Sequence, residues 1–231
     1  MAHKRKSNTT KLEIIQVASR LFLDHGYSKT TIKSIADELD ISTGHLMFYF
    51  PTKEHLLAAL VQMLCDFQWK LMQDTVKEGN TSLMALCLEL TTMAAMCEDN
   101  EIVKDFYISS YTHPLTLEII RKNDTERAEL VFADHCPDWD HLQFVEAEIL
   151  VSGIEYTTLM TTGEPVALDT RIAGALNMIL ITYQVPEEIR KMKIQRVLAM
   201  DYRTLGERIL KEFKVYVKEA NEQALEDLLR N

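Results

Sequence analysis

Apolar residues in the first fifty positions recur at helical rather than strand spacing. Ile14, Ile15, Ala18, Leu21 and Phe22 mark one face, Ile32, Ile35, Ala36 and Leu39 a second, and Leu46 and Phe50, four apart, a third. Three helices follow. Thr10-x-x-Glu13 fits a capping box and predicts that the first starts near Thr10, and Gly26 suits its left-handed C-cap. Thr30 or Thr31 can cap the second. Ser42 caps the third, which must stop near Phe50 because Pro51 disfavours helical geometry in the residue before it. The last two helices, of about eight residues each, are too short to stand alone, so they must pack on the first.

The same periodicity continues through the rest of the chain. Leu56, Leu60, Met63, Leu64, Phe67 and Leu71 predict one long helix over 53–77, closed by Gly79 and Asn80. The stretch TSLMALCLELTTMAAMC, 81–97, is apolar almost all round with one charge, Glu89, and so predicts a helix buried on most sides. Further helices are expected over 101–111, 115–133, 141–162 and 169–183, then one opened by Pro186, and a last over 203–229. The Lys/Glu-rich end of that last helix, from Lys211, reads as a solvated face. The fold class is therefore all-α. Composition agrees: 7 Gly and 5 Pro in 231 residues are too few for a β chain that turns every ten residues or so.

Charge changes the picture more than composition does. Net charge is −10, which by itself disfavours a polyanionic partner, yet residues 1–53 hold eight basic and five acidic side chains. Lys4, Arg5, Lys6, Lys11, Arg20, Lys29, Lys33 and Lys53 make a small basic head on an acidic body. Such asymmetry points the head at a polyanion. No stretch approaches the ~18 apolar residues of a membrane span, and no signal-peptide core follows the basic N-terminus, so the cytoplasm is the expected location. Cysteines 65, 87, 97 and 136 form no CxxC pair and are expected to be free, buried thiols.

Two short helices joined by a tight turn match the helix-turn-helix, whose second helix enters the DNA major groove. Asp40 stands where many such motifs carry Gly, and Asp tolerates a left-handed backbone. This explains the aromatic run MFYF at 47–50. Leu46 and Phe50 can face the core, leaving Thr43, His45, Phe48 and Tyr49 outward or sideways. Gly44 lets the backbone approach something closely, and Tyr49 can give its hydroxyl to a phosphate while its ring packs.

The string TTIKSIADELDISTGHLMFYFPTKEHL resembles the DNA-binding domain of the TetR family of bacterial transcriptional regulators. The resemblance lies in its TT-x-x-x-IA opening, the IS-x-G turn, the aromatic run ending in Tyr-Phe and the following x-x-Lys-Glu-x-Leu. It covers residues of about 10–56, a fifth of the chain. It implies a helix-turn-helix domain over 1–53, joined by a long helix to a larger helical ligand-binding and dimerisation domain over 54–231. It also implies a homodimer on a palindromic double-stranded operator, a repressor rather than an activator, released by a small-molecule effector. By position, Thr31, Tyr49 and Lys53 should hold phosphates, and Thr43, Gly44 and His45 should lie at base edges. His45 and Met47 depart from the family pattern. The helices over 141–162 and 169–183 should form the four-helix dimer interface.

Met93, Met96, Phe106, Tyr107, Tyr111, Tyr156 and Met160 fall on helices that surround the effector pocket in that family. A Met- and Tyr-rich lining suits apolar or aromatic ligands, and plain core remains the alternative for each of them. The stretch DHCPDWDH, 134–141, invites a metal reading, but its spacing is poor, and a turn with Asp138 or Asp140 capping the next helix explains it, so neither metal nor cofactor is expected. No GxSxG, HExxH or phosphate-cradling Gly loop occurs, which argues against an enzyme. The rival reading is a helical adaptor that binds only protein through a degenerate head.

Overall fold

The computed structural model describes residues 2–77, 81–163 and 165–230, with side chains described except at 2–7, 76 and 228–230. Among the described residues there are eleven α-helices and no strand. The head comprises α1 (Ala2–His25), α2 (Ile32–Glu38) and α3 (Thr43–Tyr49). Contrary to the sequence expectation, α1 runs straight through Thr10, so Thr10-x-x-Glu13 lies inside the helix and caps nothing. The preceding HKRK stretch contains no Gly or Pro to stop helix from extending toward the N-terminus.

The head core is Ile14, Ala18, Phe22, Ile35, Ala36, Leu46 and Phe50, all buried, as the periodicity requires. Thr31 caps α2 in a reciprocal capping box with Ser34, while Thr30 is buried and donates to the carbonyl of Gly26 at 2.8 Å. Asp40 takes φ +51. The amide of Ile41 reaches the Ala36 carbonyl at 3.0 Å and that of Asp40 the Asp37 carbonyl at 3.3 Å. These two bonds close a Schellman turn that aims α3 away from α2.

Behind the head lie α4 (Lys53–Lys77), α5 (Ser82–Asp99), α6 (Glu101–Thr112), α7 (Pro114–Phe132), α8 (His141–Met160), α9 (Leu168–Thr182), α10 (Glu187–Leu198) and α11 (Tyr202–Arg230). The predicted stop of α4 at Gly79 and Asn80 lies outside the described residues, as do the side chains of Lys4, Arg5 and Lys6. α5 is the central helix, packed by α4, α6, α8, α9, α10 and α11. Asp140 caps α8 in a box with Gln143, which accounts for the acidic turn at 134–141. All four cysteines are free and buried.

The far part of α11 is solvated on only one face. On its other face Phe213, Val217 and Asn221 are buried, and the helix lies along α1, where Lys214 pairs with Asp24 at 2.9 Å. Further contacts tie the head to α6 and the start of α7, and α4 to α7. Asp105 of α6 accepts both the amide of Ser28, at 2.8 Å, and its hydroxyl. Tyr27 Oη meets His113 Nε2 at 3.0 Å, and Glu54 accepts the Leu115 amide at 2.8 Å. Gly26, at φ +92, fits only because it is bare: a Cβ there would lie 2.8 Å from Asp105 Oδ2.

Candidate nucleic-acid interface and body cavity

α3 is anchored by two residues and free elsewhere. Leu46 and Phe50 fill the head core. Ser42 accepts the His45 amide at 3.1 Å and starts the helix. Thr43, Gly44 and His45 are exposed, and Phe48, at 78% exposure, projects into solvent. Tyr49 is half-buried and packs edge-on to both His45 and Phe48, with ring centroids at 5.4 and 5.3 Å. Phe48 and Tyr49 of the aromatic run therefore join His45 in an outer rim of three rings, while Phe50 belongs to the core. Thr31 stands exposed at the start of α2, and Lys29 and Lys33 flank it.

Lys53 differs from the picture that resemblance implied. Its ammonium donates to the carbonyls of Tyr27 at 2.8 Å and Thr30 at 2.9 Å, and lies 3.9 Å from the Tyr27 ring centroid. Burial lowers its pKa, opposed by Asp105. Two of its three N–H groups thus clasp the α1–α2 turn to the start of α4, leaving one for a ligand. Sequence reasoning missed this clasp because the carbonyl partners are backbone atoms that no residue pattern announces.

Gly44 is bare without need from its own fold, since a Cβ there would meet only Ser42 Oγ at 4.0 Å. Gly44→Ala should leave thermal stability unchanged or slightly raised, because Ala gains up to about 1 kcal/mol of helix propensity. A duplex lying against α3 would nevertheless feel the added methyl, and its affinity should fall by about 1–3 kcal/mol, read by fluorescence anisotropy. Equal affinity for both forms would show that nothing approaches the backbone at Gly44.

The body holds a cavity of about 460 Å³ between α4, α5, α6 and α11. Met93, Met96 and Tyr107 line it, as expected from sequence. The other four predicted lining residues do not. Phe106 is buried against Tyr107 and Phe213, and Tyr111 is buried with its hydroxyl donating to Glu155 at 2.9 Å. Tyr156 is half-buried and Met160 exposed on α8. The wall that the sequence reading omitted is α11, through Leu205, Ile209 and Phe213, where α4 to α8 were expected to enclose the pocket.

Glu89, the one charge in the apolar stretch 81–97, lines this cavity. Arg127, 3% exposed, grips its two carboxylate oxygens through Nη1 and Nη2, and Nη1 reaches Asp124 at 3.3 Å. Glu148 and Glu155 complete the buried group. Burial, reinforced by Asp124, pushes the Glu148 carboxyl from 4.5 up to about 8 against the hydrogen bond from Tyr183 and the nearby Arg127 and Arg121; burial likewise raises Asp124 to about 6. A carboxyl whose folded pKa is raised holds its proton in the native state while the unfolded chain has released it. Stability is therefore full below about pH 4.5 for this group and declines as pH rises toward 8. Glu148→Gln keeps an acceptor for Tyr183 but removes the titration. Its melting temperature should fall less than that of the parent between pH 5 and 8; parallel curves would contradict the buried-proton account.

These features define a helix-turn-helix protein with a cavity-bearing helical body. Residues 14–60 match the family described as "Bacterial regulatory proteins, tetR family". That match covers the helix-turn-helix head, about a fifth of the chain. Over 80 residues the chain is 32% identical to the uncharacterized HTH-type transcriptional regulator YuxN of Bacillus subtilis (strain 168), covering 35% of this chain and 28% of that protein. Over 74 residues it is 28% identical to the HTH-type transcriptional repressor KstR2 of Mycolicibacterium smegmatis (strain ATCC 700084 / mc(2)155), covering 32% of this chain and 36% of that one. The match thus spans about a third of the curated relatives. Among solved structures, the TetR family protein CprB from S. coelicolor A3(2) aligns over 90% of this chain and 99% of its own, at 24% identity and a TM-score of 0.43.

Proposed function

We propose that the chain is a homodimeric transcriptional regulator of the cytoplasm, a repressor that leaves its operator when a small molecule fills the body cavity. Residues 1–53 would read DNA, and 54–231 would carry the effector and the dimer contact. The observation that carries this reading is the division of α3: two buried anchors hold a helix whose Thr43, Gly44, His45 and Phe48 all face solvent beside basic residues. Thr43, Gly44 and His45 would meet base edges, Thr31 and Tyr49 phosphates on either side, and Phe48 the rim of the groove. Lys53 would chiefly fix the turn that presents Thr31, with its remaining N–H turned to a phosphate.

The dimer contact is supported by an apolar stripe that the described residues leave exposed. On α8, Leu142, Val145, Ile149 and Met160 are exposed at helical spacing, and on α9 Met178 and Ile181 continue it. Gly153 and Gly174, where a Cβ would meet nothing within 4 Å, let another helix come close. Two helices from each of two copies would bury this surface and set the reading helices about 34–36 Å apart.

Release follows from the connections between cavity and head. The walls α4, α6 and α11 are the same helices that hold the head, through Lys53, Asp105 and Lys214. A ligand that favours a different spacing of these helices shifts the heads off the operator, and emptying it from 99:1 to 1:99 takes about 5.5 kcal/mol of differential binding.

Duplex affinity measured from 50 to 200 mM salt tests the DNA reading against the adaptor. Phosphate contacts predict a steep rise as salt falls. No measurable affinity below about 100 mM would favour an adaptor with a degenerate head.

A further inference from the structure

We infer that the cavity between α4, α5 and α11 takes an apolar molecule with an uncharged or cationic hydrogen-bond-donor head, such as a hydroxyl or a protonated amine, seated against Gln68. This rests on the reading of the body as effector-binding and names the chemistry of that effector. The cavity walls are mostly apolar and its size lies within the ~300–1,000 Å³ of small-molecule sites.

Three polar side chains of the wall, Gln68, Thr92 and Thr75, already donate to other protein groups. Gln68 Nε2 donates to Glu89 Oε1 at 2.7 Å. Because a carboxylate only accepts, this bond fixes which end of the amide is nitrogen. Gln68 Oε1 is then an acceptor with no partner among the described residues, on a buried side chain that lines the cavity. Thr92 gives its hydroxyl proton to the Glu89 carbonyl at 2.9 Å, and Thr75 gives its own to the Leu71 carbonyl at 2.8 Å. Each is left able only to accept. The remaining donors of the wall are the Tyr107 phenol and Arg208, which is exposed at the mouth beside Glu212.

Charge points the same way. Behind Glu89 lies a cluster with more carboxyls than cations: Asp124, Glu148 and Glu155 lie around Arg127, with Arg121 near Glu148, and Glu148 Oε2 is buried with no hydrogen-bond partner among the described residues. Met93 and Glu89 line both this space and the large cavity. An anionic head seated at Gln68 would face the carboxylate of Glu89, with Arg208 on an exposed part of the wall, whereas a donor head would satisfy Gln68.

The test is calorimetric binding of decylamine, 1-decanol and decanoate, below their micelle concentrations, to the full-length protein at pH 7.5 without DNA. The three share one tail and differ in the head. The amine and the alcohol are expected to bind about tenfold or more tighter than the carboxylate, as for a buried acceptor gained against one left unpaired. Gln68→Leu should abolish the preference of the alcohol over decanoate while leaving tail binding in place. Decanoate binding as tightly as the alcohol, failure of all three to bind, or an unchanged ranking in Gln68→Leu would overturn the inference. The head-group ranking of the unmodified protein needs no variant to fold, and with DNA absent the outcome is independent of whether α3 reads an operator.

Discussion

Arg127→Ala is expected to lower the unfolding free energy by about 3–5 kcal/mol, the largest loss from any single substitution considered for this fold. The guanidinium is buried and is the cation for both Glu89 and Asp124. Removing it leaves Glu89 on α5 and Asp124 on α7 facing Glu148 and Glu155 of α8 without the cation that pairs with them. The carboxyls can answer only by taking up protons, so the loss should be smaller near pH 5 than at pH 8. Urea unfolding at both pH values, at fixed protein concentration, measures it. The double variant Glu89→Gln/Arg127→Met should recover part of the stability, because it removes Arg127 together with the carboxylate that it grips twice and keeps an acceptor for Gln68, while Asp124 is left to take up a proton. A single variant as stable as the parent would mean that the cluster is not held by charge.

The second large effect is on assembly. Ile149→Glu with Met178→Glu places a carboxylate on each helix of the exposed apolar stripe, at positions that are both 51% exposed in the single chain. Neither change touches the core, so each chain should fold and melt near its ordinary temperature. Across a dimer contact, however, each carboxylate would face an apolar helix and its own symmetry mate. Sedimentation should show a monomer, and operator affinity should drop about a hundredfold or more, since two half-sites no longer bind as one unit. A variant that stays dimeric would move the interface away from α8 and α9.

How much was legible in the sequence depended on whether the cause was local. The head was readable because its signals are short-range: apolar spacing, Ser42 and Thr31 as caps, Asp40 in the left-handed turn and Pro51 as the stop. The start of α1 was misread because Thr10-x-x-Glu13 has the form of a cap, and nothing local says that a helix is already running when it arrives there. The cavity was half-legible. Met93, Met96 and Tyr107 sit on helices whose apolar faces are evident, but amphipathicity states that α11 buries one face without stating against which partner. The polar network was hidden for the same reason. Glu89 stood out as the single charge of the stretch 81–97, whereas Arg127 lies 38 positions away and only packing brings them together. Lys53 carries a positive charge that any reader would send to DNA, and the carbonyls that engage it belong to a turn.

The central claim is that α3 reads a sequence, and selection from random duplex DNA tests it most directly. The full-length protein and a Gly44→Asp/His45→Glu variant would be selected side by side and the retained duplexes sequenced. Both altered positions are exposed, and acidic residues in the first turn of α3 favour the helix, so the head should stay folded. The account predicts one enriched palindrome for the parent, with half-sites about one helical turn apart, and its loss in the variant. No enrichment by the parent, or the same palindrome retained by the variant, would contradict it.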